Sequence, residues 1–567
     1  MGDGRRGTDA SGDVRGDVAP RGGDALRRRC RRHRPGPGAV RPTPPARARA
    51  GRDRRRGLRR RALRHPAGPG RVRAGGIVST TYDVSAADLA PTLGARLADG
   101  FRVALVSGVE DDDGFRVVYV LVRPGDAPVE LVLRVPRHEP TIPSLAYLDY
   151  ATGRFERELR DLYGITPSGH PLPRRLVRHG HWPRGWYPMR RDAGPPPPFD
   201  ADIGAFPFLE VEGDGVYEIP VGPVHAGMIE PGHFRFSVIG ETILRLKARL
   251  WFVHRGVEKL FEGRRPEDAV ELAERISGDT AVGHTTAFAT AVEDALGIEV
   301  PERDRLGRAL LLELERMHNH AADLGALAND VGYGIVNTHA LRIRESLLRL
   351  NKATTGHRLL RGGVGIGGTR IDALPDPAAL EAVAAEVAEL AEITLGNSTV
   401  RDRFTGTAVL AAESARDLGT LGYVARASGI DRDARRDHPF VDLGDRFHVV
   451  VETGGDVLAR YRVRVREIAV SAAVAGDLVR RLSSGTGVDS HTSAPGGGHG
   501  LGLVEGWRGT IAHRVEIDPS GRLSRVKIVD PSFFNWPALP IALADTIVPD
   551  FPLANKSFNQ SYAGNDL

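Results

Sequence analysis

One cysteine, Cys30, is present in 567 residues. A disulfide framework is therefore excluded. So is any centre needing two or more thiolates from this chain: a zinc ribbon, an iron–sulfur cluster or a nickel–thiolate site. No run approaches about 18 consecutive apolar residues, so no transmembrane helix is expected. The N-terminal region is basic but has no apolar core segment, so it does not read as a secretory signal. The sequence places the protein in the cytoplasm, with any membrane association made through partners.

What is present is ordinary for a globular chain of two or three domains, with 41% hydrophobic and 26% charged residues. The net charge of +6 is unevenly spread. Much of the positive charge lies in the first 75 residues, as in RRRCRRHRPGPG (Arg27–Gly38) and GRDRRRGLRRRALR (Gly51–Arg64). Residues 1–76 have no apolar period and cannot bury enough surface to offset the entropy of ordering. They read as a disordered basic leader. The tail has no aromatics for base stacking, so no nucleic-acid partner is expected.

From Thr80 the texture changes. FRVALVSGVE (Phe101–Glu110) and FRVVYVLVRPG (Phe115–Gly125) are rich in β-branched residues around an acidic turn, a hairpin pattern. VELVLRVPR (Val129–Arg137) gives another strand. Leu145, Leu148, Phe155, Leu159 and Leu162 then follow helical spacing. AGPPPPFD (193–200) is a stiff proline linker and a domain boundary. Beyond it, VYEIPVGPVHAG and HFRFSVIGETI pair as strands around a loop carrying His225 and His233. Helices dominate after Val253, including Arg303–Asp330, Ala340–Gly356, Pro377–Thr394 and Tyr461–Leu482. Gly485–Gly500 reads as a flexible loop and Glu505–Pro531 as a hairpin. GGVGIGG (Gly362–Gly368) follows no clear strand, so it is poor support for a dinucleotide site.

Two sets of motifs carry a family resemblance. FERELRDLYGITPSGHPLPRRL (Phe155–Leu176) with WYPMRRD (Trp186–Asp192) is similar to the 30-kDa, or C, subunit of respiratory complex I. GPVHAGMIEPGHFRF (Gly222–Phe236), WFVHRGVEKLFEGR (Trp251–Arg264) and AERISGDTAVGHTTAFATAVEDALGI (Ala273–Ile298) resemble the large subunit of formate-hydrogenlyase-type, membrane-bound [NiFe] hydrogenases. They are more distantly similar to the 49-kDa, or D, subunit of complex I. The resemblance implies an α+β fold. A small α/β module (77–192) precedes a large, mainly helical domain (201–567) with peripheral β-hairpins.

In the nickel enzymes of this family two Cys-x-x-Cys pairs hold the metals. The matching positions here are Ser277 and Thr280, and, in KSFNQSYAGNDL (Lys556–Leu567), Ser561 and Gly564. Serine hydroxyls are not thiolates at neutral pH and bind nickel poorly. The chain also stops just after the second pair, where nickel enzymes commonly carry a cleaved extension, which agrees with a lost metal. No metal and no cofactor of its own is expected in this chain. Complex I, which also lost the cysteines, binds a quinone headgroup between a hairpin histidine and a tyrosine. By this resemblance His225, with His233 more approximately, is a candidate substrate-binding group. The tyrosine position falls on Gly278, and Asp279 is a new carboxylate beside it.

Glu258 matches a glutamate resembling a proton relay, so His225, Glu258 and Asp279 are the candidate catalytic residues, with His225 and Glu258 expected in one buried site. His254, His284, Glu313, Glu315, His318 and His320 add titratable groups, a composition suited to proton transfer. Glu315 and His318, at i, i+3, also fit a surface pair. His318 and His320, at i, i+2, face different sides of a helix.

The resemblance implies an oxidoreductase subunit of a complex I-like assembly, of the NADH–quinone or hydrogenase-4 type, at the inner face of the cell membrane. Its implied partners are a small iron–sulfur subunit, which carries the clusters, and antiporter-like membrane subunits; the metal-free cavity is expected to handle a quinone or protons, and the electron donor and acceptor stay open. A non-catalytic structural or coupling subunit is the alternative. Deletion of residues 1–76 is expected to leave cooperative thermal unfolding unchanged; loss of the cooperative transition would show that the leader packs.

Overall fold

β-Branched residues fill the first strands, and those strands form one sheet. The structure, a computed structural model, describes residues 79–199, 206–227, 229–484 and 496–567. The leader expected over 1–76 lies outside them, as does most of the loop expected over Gly485–Gly500. Strands β1 (Thr80–Val84), β2 (Arg102–Glu110), β3 (Gly114–Val122) and β4 (Val129–Pro136) make a four-stranded sheet in the order β1-β4-β3-β2. Only β1 and β4 run parallel, the other pairs being antiparallel.

Helix α1 (Ala86–Ala98) follows β1. A short parallel pair, β5 (Thr141–Pro143) and β6 (Thr166–Ser168), brackets helix α2 (Tyr150–Tyr163). Helix α2 starts on an Asp149 cap that accepts from the Thr152 amide at 2.7 Å. It ends on Gly164 at φ 74°, the left-handed conformation glycine adopts without a Cβ penalty.

The large domain opens with an antiparallel sheet of β7 (Val216–Val221), β8 (His233–Ile239) and β9 (Thr242–Arg249). The expected strand pair is thus extended by a third strand. Helices α3 (Val257–Phe261), α4 (Pro266–Ala273), α5 (Ala281–Leu296), α6 (Glu302–Asp330) and α7 (Gly334–Thr355) follow. The glycine-rich GGVGIGG closes as a minimal hairpin, β10 (Val364–Gly365) against β11 (Gly368–Thr369). Helix α8 (Pro377–Gly396) leads to four short helices, α9 (Ser398–Phe404), α10 (Ala412–Asp417), α11 (Gly422–Ala427) and α12 (Ala434–Asp437). Helix α13 (Val457–Ser484) is longer at both ends than its apolar period indicates.

The C-terminal sheet has three strands rather than a hairpin: β12 (Gly498–Gly506), β13 (Gly509–Ile517) and β14 (Leu523–Val529). Its first strand begins inside the segment read as a loop, because four glycines hide its apolar alternation. Three of them allow close approach to α5: a Cβ on Gly498, Gly500 or Gly502 would fall within 2.4 Å of an α5 carbonyl. Short helices α14 (Pro531–Asn535), α15 (Ala538–Ala542), α16 (Phe551–Phe558) and α17 (Tyr562–Asp566) complete the chain.

The N-terminal module does not keep a private core. Leu501, Leu503, Ala512, Val529, Phe533 and Phe534 of the C-terminal region belong to the same buried cluster as its β-sheet. Charged groups seal this junction. Arg514 on β13 grips Glu130 on β4 with two bonds of 3.0 Å, and both side chains are 1% exposed. Lys527 on β14 reaches Glu158 on α2 at 2.5 Å, and Arg525 donates to the Gly108 carbonyl at 3.0 Å.

Breaking one half of a buried ion pair leaves an uncompensated charge. Glu130→Gln is expected to lower unfolding stability by about 3–5 kcal/mol in denaturant titrations. The double variant Glu130→Leu/Arg514→Met recovers most of that loss if the pair acts as described.

Candidate functional site: a polar cavity beside a buried serine pair

Helix α5 carries no side-chain N-cap. Its first turn is satisfied from outside: the Glu315 carboxylate on α6 accepts from the Val282 amide at 2.7 Å and the Gly283 amide at 3.0 Å. This fixes the loop Ser277–Thr280, which leads into α5, against the helical core. The C-terminal segment arrives from the other side, and the Ser277 and Ser561 hydroxyls meet at 2.8 Å across 284 residues of sequence.

The other two positions are otherwise engaged. The Thr280 hydroxyl accepts from Trp507 Nε1 at 3.1 Å and donates to Asp279 at 3.0 Å. At Gly564 a Cβ would stand 2.6 Å from the Asp530 carboxylate. That carboxylate caps α14 through the Ser532 amide at 2.8 Å and bonds His284 Nε2 at 2.9 Å. His284 Nδ1 lies 3.1 Å from His513 Nε2, so a buried Asp530–His284–His513 chain stands where a fourth ligand side chain would project. Two hydroxyls, a committed threonine and a filled glycine position do not fit a nickel–iron centre, which needs thiolates.

A cavity of about 730 Å³ opens beside the serine pair. Its polar wall holds Ser277, Asp279, Arg508 and Ser561; its apolar wall holds Ile229, Phe236 and Phe551. His225 lines it, as expected. His233 does not. Its ring packs 5.2 Å from Phe208 and its Nδ1 donates to the Gly222 carbonyl at 3.2 Å, so the hairpin register turns it out of the cavity.

Asp279 is a locked anion rather than a proton acceptor. Burial opposes its ionisation, but the two-pronged Arg508 contact, at 2.6 and 2.7 Å, outweighs burial and holds its carboxyl down to about 2. Its side chain remains 41% exposed towards the cavity. At Gly278 a Cβ would meet nothing within 4 Å, so the absent tyrosine leaves open space.

Glu258 lies elsewhere, which corrects the expectation of one site shared with His225. It lines a second, smaller cavity of about 50 Å³, with Lys527, Asp530, Gly564 and Asp566. Residues 559–567 run between the two cavities, Ser561 facing the larger and Gly564 the smaller. Glu258 is also unsuited to relay protons near neutrality. Burial favours its neutral form, yet Arg525 at 2.6 Å and Lys527 at 3.1 Å prevail and hold it down to about 2.

The remaining titratable groups are dispersed. Glu315 and His318 are buried, not a surface pair: burial pushes the Glu315 carboxyl up to about 8 and the His318 ring down to about 4. His318 donates to the Leu314 carbonyl at 3.0 Å, while His320 faces Glu467 on α13 at 2.8 Å. Glu313 pairs with Arg435 at 3.1 Å, and His254 bonds the Asp566 carbonyl at 2.7 Å.

Sequence reasoning missed Arg508 and Tyr562. Tyr562 follows Ser561 directly, and that adjacency was the available signal. It lines the larger cavity, its ring centroid 6.3 Å from that of His225. Tyr562 Oη and His225 Nε2 are both buried with no hydrogen-bond partner among the described residues.

Comparison with known proteins shows the family. Three family profiles match in chain order: the respiratory-chain NADH dehydrogenase 30 Kd subunit over residues 83–197, the nickel-dependent hydrogenase over 255–327, and the respiratory-chain NADH dehydrogenase 49 Kd subunit over 330–495. Formate hydrogenlyase subunit 5 of Escherichia coli (strain K12) is 35% identical, covering 80% of this chain and 82% of that protein. The chain belongs to the hydrogenase and complex I large-subunit family.

Hydrogenase-4 component G of the same organism is 34% identical over 72% of this chain and 73% of its own length. The fused C/D protein of the NADH-quinone oxidoreductase of Phocaeicola vulgatus is 31% identical over 62% and 72%. The fold is also that of a chain in an archaeal membrane-bound sulfane sulfur reductase, with TM-score 0.58 and 24% identity over 62% of this chain and 99% of that one. Family members are oxidoreductase subunits, and no described helix here is long and apolar enough to cross a membrane.

The Glu258 carboxyl is lowered in the fold, so its stabilisation is present above its ordinary value near 4.5 and fades as pH falls towards 2. Glu258→Gln is expected to lose stability at pH 7 and to show a flatter stability-against-pH curve between about pH 5 and pH 2. An unchanged acid limb would mean the carboxylate is not paired.

Proposed function

We propose that this chain is the large subunit of a membrane-associated, complex I-like oxidoreductase that works without nickel. The Ser277–Ser561 hydrogen bond carries the reading, because it puts hydroxyls where the metal chemistry of the family needs thiolates. The complex supplies electrons from a small iron–sulfur subunit and is held to the inner face of the membrane by antiporter-like subunits. The larger cavity takes a quinone-type ring. Its apolar wall of Ile229, Phe236 and Phe551 suits the ring face, and its polar wall suits the oxygens.

The Asp279–Arg508 pair contributes as a fixed dipole. It is ionised throughout the physiological range, so it orients a polar group without exchanging a proton with it. The coupling-subunit alternative draws on the same clamp, since a permanently paired carboxylate does no acid–base work. The two readings separate on acceptor chemistry.

His225→Met is expected to reduce acceptor turnover by about tenfold in the assembled complex, as one hydrogen bond of about 1.4 kcal/mol is lost. Unchanged turnover supports the coupling role. Elemental analysis of the purified complex is expected to find no nickel stoichiometric with this subunit, and stoichiometric nickel overturns the proposal.

A further inference from the structure

We infer that a small pocket between Arg102 and Arg432, at the junction of the N-terminal module with the helical domain, is a binding site for one monatomic anion, a halide such as chloride.

Elsewhere this junction sets opposite charges face to face, as Arg514 meets Glu130 and Lys527 meets Glu158. Here it sets like charges together. Arg102 opens β2, Arg432 lies just before α12, and both line one small cavity with His438. All three side chains are half-buried. Among the described residues no carboxylate hydrogen-bonds either guanidinium; Asp437 and Glu505 attract them only across space. Those carboxylates are already committed. Asp437 accepts from Arg436 at 2.9 Å and from the Asp433 amide at 3.1 Å. Glu505 accepts from Arg426 at 2.8 Å, the Ala434 amide at 3.0 Å and the Thr510 hydroxyl at 2.8 Å.

The two cations bear on one another. Burial and the Arg432 charge push the Arg102 guanidinium down to about 9, which leaves it charged at neutral pH, and burial lowers Arg432 as well. Burial, then the Arg102 charge, pushes the His438 ring down to about 4, so it offers an N–H donor without a third charge. The walls are tied together: the Gly125 amide, in the turn after β3, donates to the Asp437 carbonyl at 3.1 Å.

Size and charge select the occupant. The cavity holds about 10 Å³ of free space, room for one water-sized particle. Sulfate and phosphate do not fit. A water fits but brings no charge, and the two guanidiniums stay uncompensated away from bulk solvent. A halide fits, neutralises one of the two charges and accepts from both arginines. It serves as a removable counter-ion that fastens β2 to the segment before α12, in the place where the rest of the junction uses a carboxylate.

The test is chloride-nucleus NMR on the purified full chain, with gluconate holding the ionic strength constant, and thermal unfolding in the same buffers. The wild type is expected to broaden the chloride line saturably, to lose that broadening to bromide and not to sulfate, and to unfold at a higher temperature in chloride than in gluconate. Arg102→Met and Arg432→Met should each weaken the binding by about tenfold or more, the loss of one charged donor. They also act as the reference for weak chloride binding elsewhere on this basic chain. In gluconate both should unfold cooperatively at or above the wild-type temperature, since the like-charge contact is gone. Broadening that is absent from the wild type, or equal in the wild type and both variants, overturns the inference, because the pocket then holds no halide. Displacement of chloride by sulfate overturns the monatomic assignment. Unfolding of either variant below the wild type in gluconate overturns the like-charge account on which the site rests.

Discussion

The Asp530 carboxylate is the constraint around which this site is arranged. It caps α14, bonds the buried His284 and stands 2.6 Å from where a Cβ of residue 564 would be. No side chain larger than hydrogen fits at 564 while Asp530 stays in place. The last turn of the chain can then press against the strand end that carries Asp530. That contact separates the smaller, charged cavity around Glu258 from the larger one around His225. It also brings Ser561 onto Ser277. On the proposed nickel-free reading, the difference at the four matched positions is therefore more than a change of side chains. Position 564 lies against a hydrogen-bonded anion, and the larger cavity lies on the far side of the C-terminal segment.

The charge arrangement follows from the same packing. The C-terminal sheet supplies Arg514, Arg525 and Lys527 to carboxylates of the N-terminal module and of α3. Taking such groups out of water is costly unless each finds its partner, so the sheet fixes both modules at once. The seam uses Glu258, which removes it from acid–base work near neutrality. The larger cavity is lined by three carboxylate residues, Glu230, Asp279 and Asp330, and Arg508 holds Asp279. Among the described residues a histidine nitrogen and a tyrosine hydroxyl there have no partner, the kind of groups a small polar ring can satisfy.

Much of this was legible in the sequence. The hairpin histidine His225 and the positions Ser277 and Ser561, all read from short motifs, line one cavity. The α+β organisation was legible from β-branched runs followed by long apolar helical periods. The rest depended on contacts that no local pattern announces. Glu258 is clamped by residues some 270 positions away, and spacing within its own helix carries no trace of them. His233 shares a loop with His225, yet the start of β8 turns it towards Phe208. Strand β12 was hidden by the glycines that let it lie against α5. Tyr562 was overlooked because its neighbour Ser561 bore the family signal.

Two cavities flank the C-terminal segment, and the proposal assigns the quinone-type ring to the larger one and not to the one around Glu258. Photoaffinity labelling with an azido-naphthoquinone, followed by peptide mapping, tests that assignment most directly. The predicted result is crosslinks confined to the His225 loop and to the segment Asn555–Tyr562, lost on competition with unlabelled ring. Crosslinks on Glu158, Glu258 or Lys527, or labelling that excess ring does not compete away, would contradict it.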